Sequence, residues 1–269
     1  MSPVVMGVLN VTPDSFSDGG RWLDTGAAVR HGCDLLAQGA EIVDVGGEST
    51  RPGATPVPVD EELARVVPVV EALAPDASAA GARLSIDTRH AEVAVEAVAA
   101  GASIVNDVSA SLHEVVADTG AGWIAMHMAG EPGTMQDTPH YDDVVAEVLD
   151  EVAAAAARGR AAGVDEVWID PGIGFGKTFD HNWTLLASLD RFVATGYPVV
   201  VGASRKGFLG AALAEADGTE TPAPTDDRLE GSVTTAVWAA SLGVAAIRAH
   251  DVTATVQALA GAALVGDGR

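Results

Sequence analysis

Short, nearly continuous apolar runs rich in Val and Ile alternate along this chain with longer, Ala-rich amphipathic segments. The runs are VVMGVLN (4–10), EIVDVG (41–46), RLSIDT (83–88), SIVNDV (103–108), GWIAMHM (122–128), EVWID (166–170), PVVVGAS (198–204) and VAAIRAHD (244–251). Strands without a polar face are buried on both sides, which is the habit of a parallel sheet. Between them the spacing predicts helices over 25–38, 60–73, 90–100, 112–118, 141–161, 181–194 and 252–264, with one or two more in 205–242. Asp60, Asp142 and Asp251 read as helix N-caps. Eight βα units with no break in composition predict an α/β fold, a single-domain (β/α)8 TIM barrel over 1–269. An open doubly wound sheet is the alternative.

In a parallel barrel the C-terminal strand ends converge on the face where barrel enzymes keep their active sites. Here those ends carry Asn10, Asp44, Asp87, Asn106 with Asp107, His127, Asp170, Ser204 followed by Arg205 and Lys206, and Arg248 with His250. One Asp at a strand end is ordinarily a cap or turn residue. A polar residue at every end is not explained by capping. Asp87, Asn106 and Asp170 offer acceptors, or donor–acceptor pairs, that suit a flat heteroaromatic ring with N–H and amino donors. Arg51, Lys206, Arg248 and His250 suit an anion such as a phosphate. The division suggests a neutral ring at depth and a phosphorylated group at the mouth.

The loops extend this site. NVTPDSFSDGG (10–20) is a long run of turn formers beside the first strand, and GGESTRPGA (46–54) sets a guanidinium between hydroxyls and a Pro-Gly turn. DPGIGFGKT (170–178) ends in GKT, but Pro171 stands where a phosphate-binding P-loop needs its first glycine. Phe175, between two glycines, reads either as an exposed aromatic wall or as a ring packed on the barrel rim. Met126 and Met128 of the MHM run end a strand and are free to line a ring pocket. The scattered histidines form no zinc-type pair, and Ser204 lacks a nucleophile-elbow context.

Composition narrows the class. A length of 269 residues suits one barrel of roughly 250 residues. No apolar run reaches the ~18 residues that span a bilayer, and MSPVVMGVLN carries no signal-peptide pattern. Cys33 is the single cysteine, which excludes an intramolecular disulfide and fits a reducing, cytoplasmic setting. With 15 basic against 38 acidic residues the net charge is −23, which argues against a nucleic-acid partner. The two lysines, Lys177 and Lys206, both lie in glycine-containing loops rather than on helix faces.

The blocks MGVLNVTPDSFSDGG (6–20), IVDVGGESTRPGA (42–54), SIDT (85–88), NDVSA (106–110), MHMAGEPGTMQ (126–136), DPGIGFGKT (170–178), GASRKGFLG (202–210) and IRAHDV (247–252) follow in that order. In them the chain resembles the dihydropteroate synthases of folate biosynthesis over essentially its whole length. The resemblance implies a barrel that joins 6-hydroxymethyl-7,8-dihydropterin diphosphate to p-aminobenzoate, giving 7,8-dihydropteroate and pyrophosphate, in a homodimer. It implies that positions matching Asp87, Asn106, Asp170 and Lys206 hold the pterin. Those matching Asn10, Arg51, Arg248 and His250 hold the diphosphate, with Mg2+ on the Asn10 side. Those matching Thr50, Pro52, Phe175, Ser204 and Lys206 meet the aminobenzoate, and loops 11–24 and 46–59 close over the substrates.

Diphosphate loss would leave a cation conjugated with the pterin, so Asp87, Asp170, Lys206, Arg248 and His250 are the expected catalytic residues, and a neutral arylamine needs no strong base. The 205–230 stretch is longer and more acidic than the family's usual connection. Two rivals share the ring acceptors: a methyltetrahydrofolate:corrinoid methyltransferase-like barrel, which has no use for a diphosphate clamp, and a non-catalytic pterin-binding paralogue, in which clamp residues should have eroded.

Overall fold

A computed structural model describes residues 2–12, 25–49, 54–130 and 133–266 of the chain. The elements are β1 (Val4–Asn10), α1 (Thr25–Ala37), β2 (Ile42–Gly46), α2 (Val59–Ala79), β3 (Arg83–Asp87), α3 (Ala91–Ala99), β4 (Ile104–Asp107), α4 (His113–Thr119), β5 (Gly122–Met126), α5 (Val144–Ala162), β6 (Val167–Asp170), α6 (Phe179–Ala187), α7 (Leu189–Val193), β7 (Val200–Val201), α8 (Gly207–Asp217), α9 (Leu229–Ser241), β8 (Ala246–Ala249) and α10 (Val252–Gly266). The strands pair in parallel in the order β6-β5-β4-β3-β2-β1-β8-β7. A parallel bridge between Ile169 and Val199 joins the two outer strands and closes the ring. The expected (β/α)8 barrel is therefore the fold, and the open-sheet alternative falls.

Strand side chains alternate in and out with period two, and the chain uses that period to stack two unlike layers. Met6, Ile42, Ile104, Ile124, Val200 and Ala246 form a separate apolar cluster that plugs the barrel interior. Burial of such a side chain contributes roughly 1.5–3 kcal/mol. Two residues further along the same strands come Asp44, Asn106, Met126 and Arg248, so the same face turns polar towards the C-terminal ends. The outward residues, among them Val5, Leu9, Val43, Val45, Ile86, Val105 and Ile169, join the larger core under the helices. Continuous apolar runs thus arise because each strand feeds two cores.

Boundaries moved where local chemistry competed. α2 runs through Pro68 and Pro75 to Ala79, past the predicted stop at 73, because Val66, Val69, Val70, Leu73 and Ala77 continue one buried stripe. The cap expected at Asp60 is replaced by Pro58, and the one expected at Asp142 by Asp143, whose carboxylate accepts from the Val145 and Ala146 N–H groups at 3.0 Å each. Segment 205–242 holds two helices, α8 and α9. Most of the 11–24 loop and residues 50–53 lie outside the described residues. Among the described residues no helix is long and apolar enough to cross a membrane.

Candidate active site

Register places the polar layer. Asn10 stands opposite Gly46, Gly46 opposite Asp87, and Asp87 opposite Asn106, while Met126 stands opposite Asp170. A methyl group at Gly46 would lie 3.5 Å from Asp87 Cβ and 3.8 Å from Asn10 Oδ1, so Asn10 and Asp87 have no side chain between them. Arg248 reaches across from β8: its Nε donates to Asp44 Oδ2 and its Nη2 to Asp87 Oδ2, both at 2.7 Å. Asn106 Nδ2 donates to the same Asp44 oxygen at 3.0 Å. Asp44 is fully buried, and its Oδ1, like Asp87 Oδ1, is buried without a hydrogen-bond partner. Buried acceptors left in that state are costly unless a ligand donor reaches them.

Two carboxylates share one guanidinium, and burial decides their protonation. Desolvation pushes the Asp87 carboxyl up to about 7, with the Arg248 charge opposing it and Asp44 and Glu62 adding to it. Asp170 is pushed up to about 6 by burial, against the Gly172 N–H that donates to its Oδ1 at 2.7 Å and the nearby Lys206. Burial also works against the charge on Arg248, but Asp44 and Asp87 more than offset it, so the guanidinium stays protonated. His250 is pushed down to about 3 by burial and by the Arg248 and Arg205 cations. It is therefore a neutral imidazole at pH 7, able to meet an anion as a hydrogen-bonding group rather than as a charge. Its Nδ1 lies 3.1 Å from Ser204 Oγ, which also accepts from the His250 backbone N–H at 3.2 Å.

Phe175 is buried and packs with Val108, Met126 and Met135, with Met128 at the edge of the group. Lys206 Nζ lies 3.9 Å over its ring centroid, a cation–π contact. Of the two readings of Phe175, the packed ring is the one observed, and both methionines of the MHM run belong to its surroundings. Asn10, Asp87, Asn106, Asp170, Lys206, Arg248, His250 and Ser204 all sit at strand ends of the same barrel mouth. Thr50, Arg51 and Pro52 lie outside the described residues.

The DPGIGFGKT loop is held by backbone geometry. Gly172 and Gly176 have φ of 67° and 63°, a region that favours glycine. A methyl group would lie 1.7 Å from the His127 carbonyl oxygen at Gly172, and 2.4 Å from the Ala129 carbonyl oxygen at Gly176. The loop therefore lies directly on the end of β5, which explains the repeated glycines that resembled a phosphate loop. Beneath it, the buried Lys177 ammonium reaches the Phe175 carbonyl and His127 Nδ1, both at 2.9 Å. His127 Nε2 lies 3.3 Å from Glu151. Burial pulls Lys177 down to about 7, and burial with the Lys177 charge pulls His127 down to about 3. Lys177, which the sequence left without a role beyond its place in a glycine-containing loop, is a support for that loop.

At the second loop, Arg65 Nη1 donates to the Gly47 carbonyl at 2.7 Å, and Glu48 takes Arg89 on both oxygens and the Val57 N–H at 3.0 Å. Glu62 pairs with His90 Nδ1 at 2.5 Å. These contacts anchor both sides of 50–53. Arg205, between Ser204 and Lys206, has φ of 59°, a conformation that costs a non-glycine residue roughly 1–2 kcal/mol. Sequence reasoning missed Asp44 as the hub of the layer, although an acid inside the apolar run EIVDVG was its signal. It placed Arg205 at the end of β7 but missed its left-handed backbone, because handedness leaves no mark in composition.

A family model described as pterin binding enzyme matches residues 6–250. The dihydropteroate synthase of Mycobacterium leprae is 49% identical, the match covering 96% of this chain and 92% of the relative. The chain belongs to the dihydropteroate synthase family. Among solved structures, the Xanthomonas albilineans enzyme with 4-aminobenzoic acid superposes with a TM-score of 0.88 at 46% identity, over 98% of this chain and 93% of that one. The same organism's enzyme in complex with 7,8-dihydropteroate gives 0.84 at 42% identity, over 98% and 94%. The chain is accordingly an enzyme, a transferase of that family, and the non-catalytic and corrinoid-methyltransferase readings are not favoured.

Proposed function

We propose that the mouth of this barrel joins 6-hydroxymethyl-7,8-dihydropterin diphosphate to p-aminobenzoate with the roles that follow. The observation that carries the reading is the buried Asp44–Arg248–Asp87 layer with its unpartnered carboxylate oxygens. A pterin edge supplies the N–H and amino donors that Asp87, Asp170 and Asn106 would accept, and those donors favour the ionised carboxylates that burial alone disfavours. Arg248, relieved at Asp87 by the ring, then turns a donor towards the diphosphate, beside Asn10, Arg51 and the neutral His250. Met126 and Met128 form the apolar side of the pterin position, and Lys206 stands on the ring of Phe175, which meets the aminobenzoate. Thr50, Pro52 and Ser204 complete the aminobenzoate position.

The reaction follows from charge. The methylene C–O bond breaks with its electron pair leaving on the diphosphate, the pterin-conjugated cation is tolerated beside ionised Asp87 and Asp170, and the arylamine nitrogen bonds to the methylene and passes its proton to solvent. Arg248 and His250 stabilise the leaving anion by preorganised hydrogen bonds. Asn10, half-buried at the end of β1, would offer Mg2+ the hard, neutral amide oxygen that such an ion accepts. Bound there, Mg2+ would supply charge neutralisation to the diphosphate.

A cytoplasmic homodimer is part of the proposal. Exposed Phe179, Trp183 and Trp238 on α6 and α9 support self-association, and sedimentation that gives one chain per particle would contradict it. The residue roles are tested by splitting the substrates. Phe175→Ala is expected to raise the KM for p-aminobenzoate while sparing pterin diphosphate affinity, and His250→Ala to weaken pterin diphosphate. The reverse pattern contradicts the assignment.

A further inference from the structure

Residues 203–206 form a tight turn in which the Lys206 N–H donates to the Ala203 carbonyl at 3.2 Å, with a positive φ at its third residue, Arg205. Turns of this form take glycine or asparagine there, and apart from Ala110 no other described non-glycine residue has positive φ. Strain that persists at a functional site is held by its surroundings, and every holder is visible. The Arg205 N–H donates to Ser232 Oγ at 3.0 Å, and the Arg205 carbonyl accepts from Arg228 Nη1 at 2.9 Å. Its guanidinium grips both oxygens of Asp251, at 3.0 and 2.6 Å. Asp251 directly follows His250, whose backbone N–H donates to Ser204. The ends of β7 and β8 are thereby tied together on either side of one strained residue.

We propose that Arg205 is a positioning residue: its left-handed turn, clamped by Asp251, sets where Lys206 and Ser204 stand relative to His250. Glycine would make the same turn without strain, but only arginine also carries the fork to Asp251. The proposal rests on the synthase reading for its kinetic consequences and on the backbone alone for its physical ones. Asp251→Asn weakens the clamp while leaving the strain, so kcat/KM for p-aminobenzoate is expected to fall at least tenfold. In Arg205→Gly/Asp251→Asn the glycine holds the turn unaided and recovers most of that loss. A double variant no better than Asp251→Asn, or an Asp251→Asn variant within twofold of wild type, overturns the proposal. Thermal melting reads the same relation without turnover. Adding Arg205→Gly to Asp251→Asn is expected to raise Tm, and an unchanged or lower Tm overturns the strain claim. A wild-type protein without synthase activity sinks the synthase reading but leaves the Tm comparison standing.

Discussion

Arg248 donates to Asp87 at 2.7 Å across the barrel, joining β8 to β3 over a sequence separation of 161 residues. The sequence suggested separate duties for the two, arginine for an anion and aspartate for a ring. Their pairing makes ring binding an exchange in which the pterin replaces the guanidinium at Asp87 and frees it for the diphosphate. Asp87→Asn is therefore expected to cut kcat by about 10²–10³ while weakening pterin diphosphate binding far less. Steady-state kinetics beside titration calorimetry checks this, and equal losses in kcat and affinity contradict it.

Asp44 holds Arg248 and Asn106 at once with no exposure to water. Asp44→Ala leaves a buried guanidinium short of one partner, a change that costs roughly 3–5 kcal/mol. Urea unfolding of the variant should give a loss in that range, with Asp44→Asn milder because its amide oxygen still accepts. A surface-like loss under ~0.5 kcal/mol would contradict the hub.

Ring affinity should depend on pH with a definite sign. Asp87 near 7 and Asp170 near 6 are partly protonated in the free protein, and ring donors favour their ionised forms. Pterin binding then releases protons and tightens as pH rises through about 6 to 7. Calorimetry in buffers of different ionisation enthalpy reads the proton count, and net proton uptake contradicts the scheme.

His127 tests the support beneath the loop. Its folded value of about 3 lies below the ordinary 6.5, so its contribution to stability is full above pH 6.5 and is lost as pH falls towards 3. His127→Gln removes that dependence. The variant is expected to be less stable than wild type at pH 7.5, with the gap narrowing at pH 5 by up to about 1.4 kcal/mol per pH unit. A gap that does not change with pH contradicts a neutral, buried His127.

Gly172 allows no side chain, because a methyl group would lie 1.7 Å from the His127 carbonyl oxygen. Gly172→Ala should cost more than the ~1–3 kcal/mol of ordinary overpacking, since the new methyl would meet a backbone carbonyl rather than a flexible side chain. A normal melting temperature would mean that the loop does not rest on β5.

The barrel was legible because eight short, nearly continuous apolar runs that end in polar residues alternate with Ala-rich helical segments. The ring of strand-end residues was legible for the same reason. Pairing was not: nothing in order or composition says that Arg248 meets Asp44 and Asp87, since those contacts exist only once eight strands close. The role of Lys177 was not legible, because its partners His127 and the Phe175 carbonyl meet it only when the loop folds onto β5. Helix ends shifted where tertiary burial outweighed a local signal, as at Pro75 within α2.

The central claim is that this mouth transfers a pterinylmethyl group from diphosphate to an arylamine. The most direct measurement is pyrophosphate release from 6-hydroxymethyl-7,8-dihydropterin diphosphate and Mg2+, with and without p-aminobenzoate. The expected result is release that depends on p-aminobenzoate and matches 7,8-dihydropteroate formation mole for mole. Pterin binding without p-aminobenzoate-dependent release would contradict it.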